Sequence, residues 1–300
     1  MGGCHSKKLS DAAVEEVCEQ FKACCTADGP DTLDAVAKAV RATATGTQPT
    51  LNLHDSSMGS IPDAALVRLG KLKAGTGLKA VLLNNNQIAR FPDTICKLSE
   101  VQTILAHGNQ LGCGEGWVRD RTHLNAHLVP LSTVSVQVLV LACAHLRVSS
   151  HHCQGLPANF GRMSMLTTLD LADNQLVGLP DTIGLLKRLQ LLLLHNNQLR
   201  QLPSSLGELT SLATLTLASN QLTELPASIS GLTSLEQLSL SYNSIFTSSL
   251  NPLGMLPKLK KLAISNNSLP ALPAPLCNIA TLEDLDGHGV RVRGFPLPSR

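Results

Sequence analysis

One asparagine returns at a fixed interval through most of this chain. Asn86, Asn109, Asn174, Asn197, Asn220, Asn243 and Asn267 are separated by 23, 65, 23, 23, 23 and 24 residues. Each is followed two residues later by Leu or Ile and, in most copies, three further on by Leu-Pro or Phe-Pro. Self-similarity at one short period marks an array of a single small unit and excludes an ordinary globular reading of the chain.

Around each asparagine the residues align on L-x-x-L-x-L-x-x-N-x-L-x-x-L-P, as in LATLTLASNQLTELP (Leu212–Pro226) and LTTLDLADNQLVGLP (Leu166–Pro180). The apolar alternation lasts only a few residues, so each unit carries one short strand, then a polar turn holding the asparagine, then a short helical or extended segment. No unit can bury its leucines alone. Stacked units share one core and line up their strands as a parallel sheet, with the asparagine amide buried against the backbone of adjacent turns. The predicted fold is therefore α/β: a solenoid of about nine repeats, with a curved parallel sheet on its concave face.

The repeated LxxLxLxxNxL resembles the leucine-rich repeat family. Two weaker copies extend the likeness: QPTLNLHDSSMGSIP (Gln48–Pro62), with Ser56 at the asparagine position, and LEDLDGHGVRVRGFP (Leu282–Pro296), with Val290 there. Terminal repeats that cap a stack are expected to be atypical. The units of the form LPDTIGLLKRLQLLLL are similar to the intracellular Ras-group type of this family, and the MG start to its small myristoylated members. This resemblance implies a non-catalytic scaffold or adaptor for protein–protein interaction, tethered to a membrane and acting in intracellular signalling. It also carries an alternative: a regulatory subunit for a phosphatase or a Ras-like small GTPase.

The chain opens MGGCHSKK. With Met1 removed, Gly2 is a candidate for myristoylation, and Ser6 stands where the acceptor pattern wants a small hydroxyl residue. One such chain binds membranes only marginally, and Cys4 (as a palmitoylation site) or Lys7 and Lys8 would supply the second signal. Residues 1–8 are thus read as a lipid-anchor segment and 9–47 as a helical N-terminal cap. Leu9 and Ser10 would open its first helix, whose apolar face is Val14, Val17, Cys18, Phe21 and Cys25. A second helix beginning at Pro30-Asp31 would use Leu33, Val36 and Val40.

The repeat domain, 48–300, is interrupted once. Removing residues 113–154 restores the 23-residue spacing and joins HGNQLG to GLPANFG without a misplaced residue. The segment follows no repeat pattern and reads as an insertion or a translated intron. His123 and His127 are spaced H-x-x-x-H, and His151, His152 and Cys153 lie in the same segment. A zinc-dependent activity there is the competing reading from another class, but no second C-x-x-C pair supports it and they read as scattered surface residues.

Elsewhere the motifs of catalysis are missing: no G-x-x-x-x-G-K-[ST], H-E-x-x-H or G-x-S-x-G. Gly75 and Gly77 in GTGLKA precede a strand instead of following one, so they read as loop residues of a longer first repeat. No catalytic residue, metal or cofactor is expected. A net charge of +2 makes no electrostatic case for nucleic acid. The nine cysteines, odd in number, and the lack of an apolar leader fit reduced thiols of a cytosolic protein. The expected location is the cytosolic face of a membrane, and the expected state a monomer.

Binding should fall on the concave face, where side chains between the consensus leucines point outward. Leu82, Leu105, Leu191 and Leu193 are not required there by the fold, so they are read with Asp170 and Thr216 as a surface for a protein partner. His107, His195 and Tyr242 are read as its surroundings.

Overall fold

The computed structural model describes residues 11–25, 30–44, 49–70, 78–112 and 155–288. Nine strands of three residues each form one parallel sheet in chain order: β1 (Thr50–Asn52), β2 (Ala80–Leu82), β3 (Thr103–Leu105), β4 (Thr168–Asp170), β5 (Leu191–Leu193), β6 (Thr214–Thr216), β7 (Gln237–Ser239), β8 (Lys261–Ala263) and β9 (Asp284–Asp286). In each of β1 to β8 the middle residue is buried, from Leu51 through Leu192 to Leu262. In β2 to β6 both flanking residues stay half-exposed.

Behind the sheet, the Leu-Pro or Phe-Pro of five repeats starts a 3-10 turn. Pro92, Pro180, Pro203, Pro226 and Pro273 precede Asp93–Lys97, Asp181–Leu185, Ser204–Glu208, Ala227–Gly231 and Ala274–Asn278. Proline sets the required φ, and its carbonyl accepts the first turn bond, as from Ile183 N at 2.9 Å. Each turn aims one apolar side chain inward, among them Ile95, Ile183, Leu206 and Ile229. Gly207 sits where successive turns touch, and a Cβ on it would run into the Ser228 carbonyl.

Of the ladder asparagines, Asn86, Asn109, Asn174, Asn197 and Asn243 are buried, and Asn220 and Asn267 half-buried. Asn197 donates through Nδ2 to the carbonyls of Leu171 (2.9 Å), Leu194 (3.1 Å) and His195 (3.2 Å), and its Oδ1 accepts from Leu176 N (2.9 Å). One side chain thus ties its own turn to the preceding repeat, satisfying peptide groups that water cannot reach. Asn86 does the same against the first repeat, where Ser56 N and Met58 N both donate to its Oδ1.

Beside the ladder runs a column of left-handed residues. Asp55, Asn85, Asp173, Asn196, Ser219, Tyr242 and Asn266 all have φ between 53° and 58°, and Gly108 has 66°. Short polar residues and glycine tolerate this conformation, which explains most of the column. Tyr242 is its bulky exception.

The N-terminal end is covered by α1 (Asp11–Lys22) and α2 (Pro30–Ala44). Val14, Val17, Cys18 and Phe21 of α1, with Val36, Val40 and Ala44 of α2, join one core with Leu51 and Met58. Leu33 and Cys25 are only half-buried. Cys25 bridges Met58, and Arg68 holds Glu16 through two contacts of 2.6 and 2.8 Å. Leu9 and Ser10 lie outside the described residues. The first repeat differs from the others: an α-helix, α3 (Asp63–Gly70), fills its convex side where the later repeats have a 3-10 turn. Gly75 and Gly77 also lie outside the described residues.

Between Asn109 and Asn174 the sheet continues without a gap. Thr103, Ile104 and Leu105 pair with Thr168, Leu169 and Asp170 as any neighbouring strands do. Gly112 and Gly155 meet in space: a Cβ on Gly155 would lie 2.8 Å from Gly112 N, and φ is +66° at Gly155. Phe91 N donates to Gly155 O and Gly112 N to Ala89 O, both at 3.1 Å.

Candidate protein-binding surface

The strand register turns the outward positions into straight rows across the sheet. One row runs Asn52, Leu82, Leu105, Asp170, Leu193, Thr216, Ser239, Ala263 and Asp286. Four of the expected residues, Leu82, Leu105, Asp170 and Leu193, are therefore consecutive on four adjacent strands, with Thr216 next. Leu191 lies in the parallel row, between Thr168 and Thr214. All six are half-exposed.

The histidines lie past the strand ends. His107 Nδ1 is 3.0 Å from Asp173 Oδ2, and Asn196 donates to Asp173 Oδ1 at 2.7 Å. Burial alone would raise the Asp173 carboxyl. Hydrogen bonds from Asn196 and His107, with His195 nearby, outweigh burial and hold it below its ordinary value. His195 Nδ1 is 3.1 Å from Thr216 Oγ1. Asp173 and Asn196 were not singled out from the sequence. Their signal was the short polar residue that precedes most ladder asparagines.

Two placements differ from strand alternation. Residues two beyond the strands, where continued alternation would face outward, are buried at Ala172, Ser241 and Ser265. At the same position Asn84, His107, His195 and Ala218 stay half-exposed. Tyr242 belongs to the left-handed column on the turn after β7; it is 62% exposed and stands outside the leucine row.

Gly2, Cys4, His123, His127, His151, His152 and Cys153 lie outside the described residues. Among the described residues, no group of three or more His, Cys, Asp or Glu side chains is arranged to hold a metal ion. Nor is any helix among them long and apolar enough to cross a membrane.

A family model described as a leucine-rich repeat region matches residues 125–294, more than half of the chain. The chain belongs to the leucine-rich repeat family. Similar solved structures include a leucine-rich repeat protein of Leptospira interrogans, with 24% identity, a TM-score of 0.63, and coverage of 84% of this chain and 52% of that one. The leucine-rich effector YopM of Yersinia pestis has 16% identity and a TM-score of 0.62, over 95% of this chain and 61% of that one. Internalin C2 of Listeria monocytogenes has 19% identity and a TM-score of 0.54, over 85% and 84%. At these identities the likeness establishes the leucine-rich repeat fold alone. This chain spans little more than half the length of the Leptospira protein. No curated protein shows significant sequence similarity to it. Leucine-rich repeat domains generally serve as non-catalytic modules that bind proteins on their concave face.

Proposed function

We propose that this chain is a non-catalytic interaction scaffold. A protein partner is captured on the concave row of Leu82, Leu105, Asp170 and Leu193, with Leu191 beside it. Its location is the cytosolic face of a membrane, with acylation of Gly2 and Cys4 as the tether; its role is in intracellular signalling, and its repeats are of the Ras-group type. The carrying observation is the set of half-exposed leucines in register on adjacent strands, where the core makes no demand for them. Apolar surface left in a line on a soluble face marks a contact waiting for a partner. The MG start with Ser6 and Cys4 supports the tether.

Two substitutions test the two halves separately. Leu193→Glu should leave the thermal melt intact and remove the proteins that co-purify with the wild type. Gly2→Ala should move the chain from the membrane to the soluble fraction of cells while sparing those contacts. Co-purification unchanged by Leu193→Glu would place the surface elsewhere, and an unacylated Gly2 by mass spectrometry would end the tether.

A further inference from the structure

The leucine row is broken by one charge. Asp170 lies between Leu105 and Leu193 in direct register. Its Oδ1 accepts only from Ala172 N, at 3.1 Å, and among the described residues it makes no ion pair. No Lys or Arg occupies the row from β1 to β9. Asp173, by contrast, is already held by His107 and Asn196. A partner that buries Leu105 and Leu193 must also strip water from Asp170. That desolvation opposes binding unless the partner brings a cation to the same point.

Spacing restricts the shape of that partner. Neighbouring strands advance by about 4.8 Å, so Leu105 to Leu193 spans about 10 Å. An α-helix climbs 5.4 Å per turn and about 10.5 Å in seven residues, which matches both steps. An extended strand returns to one face only every ~6.6 Å and falls out of step.

We propose that the partner docks an α-helix across the sheet, with a lysine or arginine on Asp170 and an apolar side chain one turn away on each side, against Leu105 and Leu193. This rests on the concave face being the capture surface. Asp170 then acts as the selector: it rewards a basic residue and penalises a neutral or acidic one at that turn.

The test is to pan a displayed library of random peptides, each about five helical turns long, on the full chain, in parallel with Asp170→Asn, Asp170→Lys and Leu193→Glu, each checked by thermal melt. Asn keeps the Oδ1 acceptor for Ala172 N and removes only the charge. Wild type should enrich peptides with Lys or Arg three or four residues from an apolar residue on both sides, and these should gain helical circular dichroism on binding. Their affinity should fall about tenfold on Asp170→Asn, as for loss of one charge-assisted contact. Asp170→Lys should enrich an acidic residue at the same turn. Wild-type enrichment of peptides without a basic residue, no enrichment at all, binding without helix formation, or equal affinity for Asp170→Asn would overturn the proposal. If Leu193→Glu abolishes binding while charge has no effect, the concave surface stands and the basic helix falls. If Leu193→Glu binds like wild type, the concave reading itself fails.

Discussion

At the scale of the residue, the ladder asparagine and Asp173 show how little of a side chain's role is visible in its identity alone. Asn197→Ala removes three donated bonds and one accepted bond, but the carbonyls of Leu171, Leu194 and His195 keep Asn174 Nδ2, Asn220 Nδ2 and Asp173 N as donors, so the buried group that loses its partner is Leu176 N. A buried unpaired amide costs about 1–3 kcal/mol, so the variant should lose about that much stability, measurable by urea unfolding. Asp173 belongs to the other class, on the surface. Its carboxyl is depressed in the folded state, so its contribution to stability is complete above its ordinary range and fades as pH falls through the lower, folded value. Asp173→Asn should therefore flatten the acid limb of a plot of melting temperature against pH, below about pH 4, and leave the neutral limb shifted by a constant. An unchanged acid limb would show that His107 and Asn196 do not favour the ionised form. The ladder was legible because burial forces one residue type to recur at one spacing. The contact of Asp173 with His107 was not, because it joins residues 66 apart in sequence.

At the scale of the element, each strand is too short to be read by alternation alone, and repetition supplies what length does not. The Leu-Pro or Phe-Pro that follows most of the asparagines is explained by the 3-10 turn it starts, whereas in the first repeat Ile61-Pro62 at the same position leads into the helix α3. The meeting of Gly112 with Gly155 carries a prediction of its own. A chain lacking residues 113–154, with Gly112 joined to Gly155, should fold in one cooperative transition with a melting temperature no lower than that of the full chain. Every ladder contact from β3 to β4, including Leu111 N to Asn174 Oδ1 at 2.9 Å, is made by residues that remain. Loss of cooperativity by differential scanning calorimetry would show that the segment holds the two halves together.

At the scale of the whole molecule, the solenoid has unequal ends. The β1 end is closed by α1 and α2 through Phe21, Val36 and Val40, while the β9 end carries Asp284 and Asp286 on its exposed strand. Among the described residues no strand pairs with the outer edge of β9, and charge on such an edge discourages pairing with another chain, whereas the β1 end depends on its cap. Phe21→Ala should cost about 3–5 kcal/mol, with oligomers appearing in size-exclusion chromatography as Leu51 and Met58 become accessible. A monomeric variant with an unaltered melt would remove α1 from the core. By itself the sequence determined the repeat, the parallel sheet, the buried asparagines and the outward leucines, because one periodic unit with one burial rule leaves a single way to stack. Only the tertiary structure decided which outward residues become neighbours. Register sets Asp170 between Leu105 and Leu193 at the repeat spacing, and the folding of the turns draws His107 to Asp173, a side-chain contact that the repeat period does not specify.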